Sequence, residues 1–394
     1  MKTKKLILPA LFFLMGSQTI SPQSKPGALP VIDLSKEHPK KEIRLQDIAD
    51  IEYVPLETTD DVLLSDKATL SYVSDNYILV HEFIRGDIFV FNRNGKIYSH
   101  FNHKGASGRE YTWIGAGTML DEKEKEIFVC SHTIHVYSLS GEYRRTLDIK
   151  LNHYETKVFN LDDETLLVYD DVHVEQPGMK SSPPQTNPYR LVSKKDGSTV
   201  SVLDIHLPER YSTRSAQQLE NNKWTAVSIY YPHSMYYGQD FAIADISSDT
   251  LYRLTQNREL TPLLIRRPSV HASSDPRTVW TTLLTTDKFI LIGTIPIGSK
   301  RRGGRIPIFM YEFETGETSK PTILDAEFNM DKWSPPGSSP AMTAKNRTAE
   351  LIQAPSIIEA YRKNQLKGNA EKFAATLDEN DNPVVRIIKF KVEN

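Results

Sequence analysis

Ile88-Phe89-Val90-Phe91-Asn92-Arg93-Asn94-Gly95-Lys96-Ile97-Tyr98 reads as two strands joined by a tight turn. β-Branched and aromatic side chains favour extended backbone, and Asn-Gly takes the positive φ angles that such a turn demands. The unit returns at Ile134-His135-Val136-Tyr137 with Ser140-Gly141-Glu142, at Tyr189-Arg190-Leu191-Val192 with Asp196-Gly197, and at Ile308-Phe309-Met310-Tyr311 with Thr315-Gly316-Glu317. Leu251-Tyr252-Arg253-Leu254 followed by Asn257-Arg258-Glu259 is a version without the glycine. Successive turns fall about 46, 56, 61 and 58 residues apart, the span of one four-stranded propeller blade with its loops.

Other short apolar runs bounded by Asn, Asp, Gly and Ser fit the same scheme, among them Tyr77-Ile78-Leu79-Val80, Ile127-Phe128-Val129, Thr165 to Tyr169 and Phe289 to Ile292. Five hairpins account for about Tyr72 to Leu324. A sixth blade follows if Ile51 to Leu56 pairs with Val384 to Phe390, because joining the two ends removes the exposed sheet edges of an open array. The expected fold is therefore all-β, a single six-bladed β-propeller over residues 43–394, closed by N- and C-terminal strands. Two regions break the pattern. Gln176 to Pro188, with four prolines, reads as a surface loop inside the third blade, and 347–377 shows helix-like spacing interrupted at Pro355, a short helical insertion near the C-terminus.

The chain has 394 residues, 48 Lys and Arg against 50 Asp and Glu, and a net charge of −2. Nucleic-acid binding needs clustered cations to neutralise phosphates, so this balance argues against it. Cys130 is the one cysteine, which excludes an intramolecular disulfide and a cysteine-based zinc site. Lysines at 2, 4 and 5, the apolar run Leu6 to Met15 and the small polar residues after Gly16 have the layout of a signal peptide, expected over 1–24. Ten apolar residues fall short of the roughly 20 that cross a bilayer, and no cysteine follows for lipidation. The expectation is an exported protein, periplasmic or extracellular, without a transmembrane segment or lipid anchor.

Marks of catalysis are sparse. Gly115-Ala116-Gly117 lacks the third glycine and the βαβ setting of a dinucleotide site. His81-Glu82 opens like a zinc-protease helix but lies in a strand pattern, and Asp378 to Asp381 opens like a calcium loop that Pro383 spoils. Asp171, His173 and Glu175 alternate along one strand face, a cation cluster or simply a solvated edge. Lys300 to Arg305 places four cations beside two glycines, suited to an oxyanion or to an ordinary solvated hairpin tip. No metal and no cofactor is expected.

The strongest candidates are aromatic and charged residues near the blade starts: Arg109, Glu110, Tyr111, Trp113, His153, Tyr154, Trp224, Arg277, Trp280 and Trp333. Loops into the innermost strands open on one propeller face, where flat rings and a few charges suit sugars or peptide side chains. The competing reading wedges the tryptophans between neighbouring blades.

The stretch Ile48-Ala49-Asp50-Ile51-Glu52-Tyr53-Val54-Pro55-Leu56-Glu57-Thr58-Thr59 resembles the entry motif of a six-bladed β-propeller family of exported Bacteroidetes proteins, NHL-like in architecture. Asp75 to Val80, Ile88 to Gly95, Lys104-Gly105 with Glu110-Tyr111, and Asp381 to Val385 extend the resemblance over about Ile43 to Phe390. Gly105 to Tyr111 departs from that family's glycine-rich first junction. The resemblance implies export and fold, and no particular activity. The functional expectation is a binding or interaction module for a glycan, a peptide or an envelope protein at the channel mouth. The alternative is a glycan-active hydrolase or lyase using carboxylates at the same mouth.

Overall fold

The computed structural model describes residues 29–151, 156–171, 186–212, 214–218, 224–228, 234–237, 240–272, 277–297, 306–336, 341–343 and 345–392, with 214–218, 224–228 and 234–237 as backbone only. The expected signal segment, Tyr154, His173, Glu175 and Lys300 to Arg305 lie outside the described residues.

Six antiparallel sheets form a propeller. Blade 1 comprises Ala68–Val73, Tyr77–Glu82, Asp87–Asn92 and Ile97–Asn102. Blade 2 comprises Gly117–Asp121, Glu126–Cys130, Ile134–Ser138 and Tyr143–Leu147. Blade 3 comprises Thr156–Asn160, Thr165–Asp170, Tyr189–Ser193 and Thr199–Val202. After an interposed hairpin, Arg214–Gln218 with Trp224–Ser228, blade 4 runs through Ser234–Tyr237, Asp240–Ile243, Thr250–Leu254 and Leu260–Arg267. Blade 5 comprises Arg277–Thr285, Phe289–Ile297, Ile308–Glu312 and Thr318–Asp325. Blade 6 is assembled from both ends of the chain, with Val384–Phe390 between Arg347–Ile352 and Ala49–Pro55. Val384 faces Pro55 and Phe390 faces Ala49, the closure expected from the sequence.

All five recurring hairpins join the third and fourth strands of a blade. Gly95, Gly141, Gly197 and Gly316 take φ angles of 83°, 87°, 86° and 70°, and Arg258 takes 67° at the turn without glycine. Gly95 is demanded twice over, since a Cβ there would also stand 1.9 Å from the Pro55 carbonyl. Arg258 is held in its left-handed conformation by ion pairs to Asp162 and Glu164 of blade 3, at 2.8 and 3.0 Å.

The strands read as unbroken apolar runs because each blade is buried on both faces. In blade 1, Ile78, Val80, Phe89 and Phe91 pack toward blade 6, while Leu79, Ile88 and Val90 pack toward blade 2. Period-two alternation thus feeds two cores from one strand. Among the described residues, one such cluster fills each of the six junctions between neighbouring blades. Cys130 belongs to the blade 2–3 junction, where burial pushes its thiol up to about 12. The propeller also begins earlier than residue 43: Val31–Asp33 and Lys40–Arg44 add parallel strands to the outer edges of blades 4 and 5. Such coverage blunts edges that would otherwise offer free hydrogen-bonding groups.

The helical insertion is shorter than 347–377. Residues 347–352 are the inner strand of blade 6, because their backbone groups find partners along Val384–Lys389. The helices are α1 (Ala354–Arg362) and α2 (Gly368–Ala374). Pro355 does not interrupt α1; it sits in the first turn, where its missing N–H has no helical acceptor to lose. Ile357, Leu366, Ala370 and Ala374 pack onto Val384, and Phe373 stacks on Tyr53 at 5.4 Å, so the insertion braces the closing blade.

The chain also enters the axis. Met342–Thr343 pairs in parallel with Tyr72–Val73 of the innermost strand of blade 1, and the Met342 side chain reaches the blade 2–3 and blade 3–4 clusters. A residue whose backbone pairs with blade 1 and whose side chain reaches the blade 3–4 junction lies across the channel.

Candidate functional site

Strand alternation sends the third-to-fourth-strand turns to one end of the blades. Turns between second and third strands, and the blade-to-blade loops, lie at the other end. Of the ten sequence-derived site residues, His153 and Tyr154 lie outside the described residues and Trp224 is described only as backbone on the interposed hairpin. Tyr111, Trp280 and Trp333 are 0%, 2% and 8% exposed, which removes them from any rim. Tyr111 packs in the blade 1–2 junction and donates to the Gly86 carbonyl at 2.6 Å. Trp280 fills the blade 4–5 junction with its indole N–H on the Ser248 carbonyl at 2.7 Å, and Trp333 fills the blade 5–6 junction. The wedge reading holds for these indoles because the gain from burying a large ring exceeds what a solvated rim position offers.

Glu110 is committed within its own loop, accepting from the Ser107 N–H at 2.9 Å, and that bond holds its carboxyl below the usual range. Arg109 is exposed, with its guanidinium 5.5 Å from the Tyr143 ring centre. Trp113 is half-buried, edge-on to Phe83 at 5.1 Å and near His132 at 6.1 Å. Phe83 and His132, from the turns between second and third strands of blades 1 and 2, form with Trp113 of the loop between those blades an aromatic stretch of the rim.

A second group stands at the junction of blades 3, 4 and 5, where Arg277 is joined by residues the sequence did not single out. The Tyr211 hydroxyl lies 2.7 Å from Glu209 Oε2 and 2.8 Å from His271 Nδ1. The Arg277 guanidinium carbon sits 3.8 Å over the Tyr211 ring centre, and its Nη1 is 3.8 Å from Glu209 Oε1. Three segments supply these groups: the loop after blade 3, a short turn at Val270–Ala272 after blade 4, and the start of the innermost strand of blade 5.

The turn between the second and third strands of blade 4 holds them in place. Ser247 Oγ accepts from the Tyr211 N–H at 2.8 Å, and the Ser247 carbonyl faces His271 Nε2 at 3.0 Å. Ser247 N–H is anchored on Asp245, whose other oxygen takes Arg210 at 2.8 Å and the Tyr169 hydroxyl at 3.0 Å. Beneath, Ile246, Val270, Val279 and Ile295 form an apolar floor with the Tyr211 ring. Exposure rises outward, from 9% for Tyr211 to 25%, 37% and 63% for the side chains of Arg277, His271 and Glu209. Burial, together with the bond to Glu209, pushes the Tyr211 phenol up to about 12. That same bond, aided by Arg277 and His271, holds the Glu209 carboxyl below its usual range.

Glu209-Arg210-Tyr211 was the available signal, three polar chemistry-bearing residues in a row before the interposed hairpin. Its partner His271 lies 60 residues away, beyond any local pattern. Among the described residues, no group of three or more His, Cys, Asp or Glu side chains is arranged to hold a metal ion, and no helix is long and apolar enough to cross a membrane.

The profile of a family described as a domain of unknown function, DUF4934, matches residues 29–389. None of the curated proteins compared with the chain matches it. A candidate exported protein of Bacteroides fragilis aligns over 92% of this chain and 100% of its own, at 12% identity and a TM-score of 0.60, a likeness of fold. A member of the DUF4221 family from Bacteroides vulgatus aligns over 88% and 98%, at 12% identity and a TM-score of 0.45. An inactive virginiamycin B lyase of Staphylococcus aureus, bound to quinupristin, aligns over 86% and 99%, at 10% identity and a TM-score of 0.34. These last two superimpose too loosely to carry any argument about function.

Proposed function

The chain belongs to the DUF4934 family, and from that premise we propose that it is exported to the periplasm or cell exterior as a binding or interaction module. Its ligand, a glycan, a peptide or a segment of an envelope protein, rests on the rim formed by the blade-to-blade loops. The observation that carries this reading is the state of the ordered rim groups. Proton-transfer catalysis needs an acid or base with a pKa near the working pH. Burial and the Glu209 bond shift Tyr211 up to about 12, and the Tyr211 bond shifts Glu209 down, so both move away from neutrality. Fixed donors and acceptors on a rigid floor suit recognition. The aromatic stretch at Phe83 and Trp113 adds a flat apolar surface to the same rim.

A thermal-shift screen of the exported chain against glycans, peptidoglycan fragments and peptides tests this reading. A ligand at about a hundred times its dissociation constant adds roughly 2.7 kcal/mol of stability. The expected result is a ligand recovered intact whose effect is weakened in Trp113→Ala or Arg109→Ala. A ligand consumed during incubation replaces the module with a hydrolase or lyase.

A further inference from the structure

We propose that Tyr211, His271 and Arg277 form a carboxylate-binding subsite, and that Glu209 is a resident carboxylate which an incoming ligand displaces. The proposal rests on the binding reading above and names the chemistry that one part of the rim recognises.

Hydrogen-bond accounting carries the argument. A carbonyl oxygen only accepts, so the 3.0 Å contact between His271 Nε2 and the Ser247 carbonyl places a hydrogen on Nε2. The Tyr211 hydroxyl has one hydrogen and two neighbours, Glu209 Oε2 at 2.7 Å and His271 Nδ1 at 2.8 Å. A carboxylate cannot donate, so the phenol donates to Glu209, and His271 Nδ1 stands against the same hydroxyl. The carboxylate of Glu209 is thus gripped by a phenol and flanked by the His271 ring at 3.7 Å and the Arg277 guanidinium at 3.8 Å, whose planar fork suits a carboxylate.

The donors and the occupant differ in how firmly they are held. Tyr211 is anchored through its N–H on Ser247 and its ring under Arg277, and His271 through the Ser247 carbonyl. Glu209 is 63% exposed, and its approaches to His271 and Arg277 are 3.7 and 3.8 Å, too long for hydrogen bonds. A single bond to the phenol therefore keeps a solvated side chain in a site built by better-anchored neighbours. A ligand carboxylate, free of Glu209's tether, can approach the Arg277 guanidinium more closely than Glu209 does. Such a group is presented by a sugar acid or by a peptide C-terminus.

Thermal unfolding distinguishes these sources in wild type, Glu209→Ala and the double variant Glu209→Ala/Arg277→Gln. The probes are sodium galacturonate, galactose, sodium N-acetylalaninate and N-acetylalaninamide at matched ionic strength. Removing the occupant should tighten binding of the carboxylates roughly tenfold over wild type, the scale of one charge-assisted hydrogen bond, and adding Arg277→Gln should abolish the gain. The neutral probes should act alike on all three proteins. A response to galacturonate alone assigns a sugar acid, a response to N-acetylalaninate alone a peptide terminus, and equal responses the bare carboxylate. Identical behaviour of wild type and Glu209→Ala, or a gain that survives Arg277→Gln, overturns the subsite. If that occurs while a ligand from the wider screen still depends on Trp113, the subsite fails and the binding reading stands.

Discussion

At one end of the blades the turns are locked onto a neighbouring blade: Gly95 against Pro55, Gly141 against Phe101, Gly197 against Leu147 and Asp148, Arg258 paired with Asp162. At the other end the polar side chains of the blade 3–5 junction bond chiefly to one another and to Ser247, and their outer atoms meet solvent. Packing density decides the first arrangement and hydrogen-bond inventory the second. A change at the locked end or in the junctions between blades should therefore be felt as stability, and a change at the open rim as binding.

The largest contrast is between two residues of one strand. Trp280→Ala should cost about 3–5 kcal/mol of unfolding free energy, since it empties the blade 4–5 junction and orphans the Ser248 carbonyl. Arg277→Gln, three positions earlier, should cost no more than about 1–2 kcal/mol, the scale of partly exposed cation–π and ion-pair contacts. Denaturant titration of the two variants checks this, and comparable losses would erase the distinction between junction and rim.

A smaller effect concerns pH. His81 bridges blades 1 and 2 through Ser71, at 2.6 Å from Nδ1, and Thr118, and burial lowers its imidazole to about 4. The folded form therefore binds fewer protons than the unfolded chain between an ordinary value near 6.5 and about 4. Its contribution is complete above pH 6.5 and drains away as pH falls through that window, on the order of 3 kcal/mol in total. Stability measured at pH 7.5 and pH 4 should diverge less in His81→Asn. An unchanged pH slope in that variant would place the acid sensitivity elsewhere.

A further loss, below those of Trp280 and His81, is expected at the locked end. Gly95→Ala should cost about 2 kcal/mol, because left-handed backbone penalises a Cβ and the added carbon meets the Pro55 carbonyl of the closing strand. Rim ligands should bind this variant as they bind wild type. A loss of affinity would show that the two ends are coupled.

Hairpins were legible because turn chemistry is local: Asn94-Gly95 announces its conformation without help from the rest of the chain. Closure between Ile51 and Ile388 was legible from complementary apolar runs and the need to pair edges. The insertion was misjudged where Arg347–Ile352 carries apolar spacing that suits a helix as well as a strand, and only a partner strand resolves that ambiguity. Arg277 was picked out while Glu209, Tyr211 and His271 were not, since no spacing within the sequence joins residues of three loops.

The sequence by itself determined the repeating blade, its turns and the pairing of its two ends, because those follow from alternation and from backbone conformations that particular residues impose. Which side of a strand meets a neighbouring blade, which indoles are buried, and that Met342 crosses the axis were decided by the ring as a whole. Those outcomes depend on distances between segments tens to hundreds of residues apart, and such distances exist only once the blades have closed.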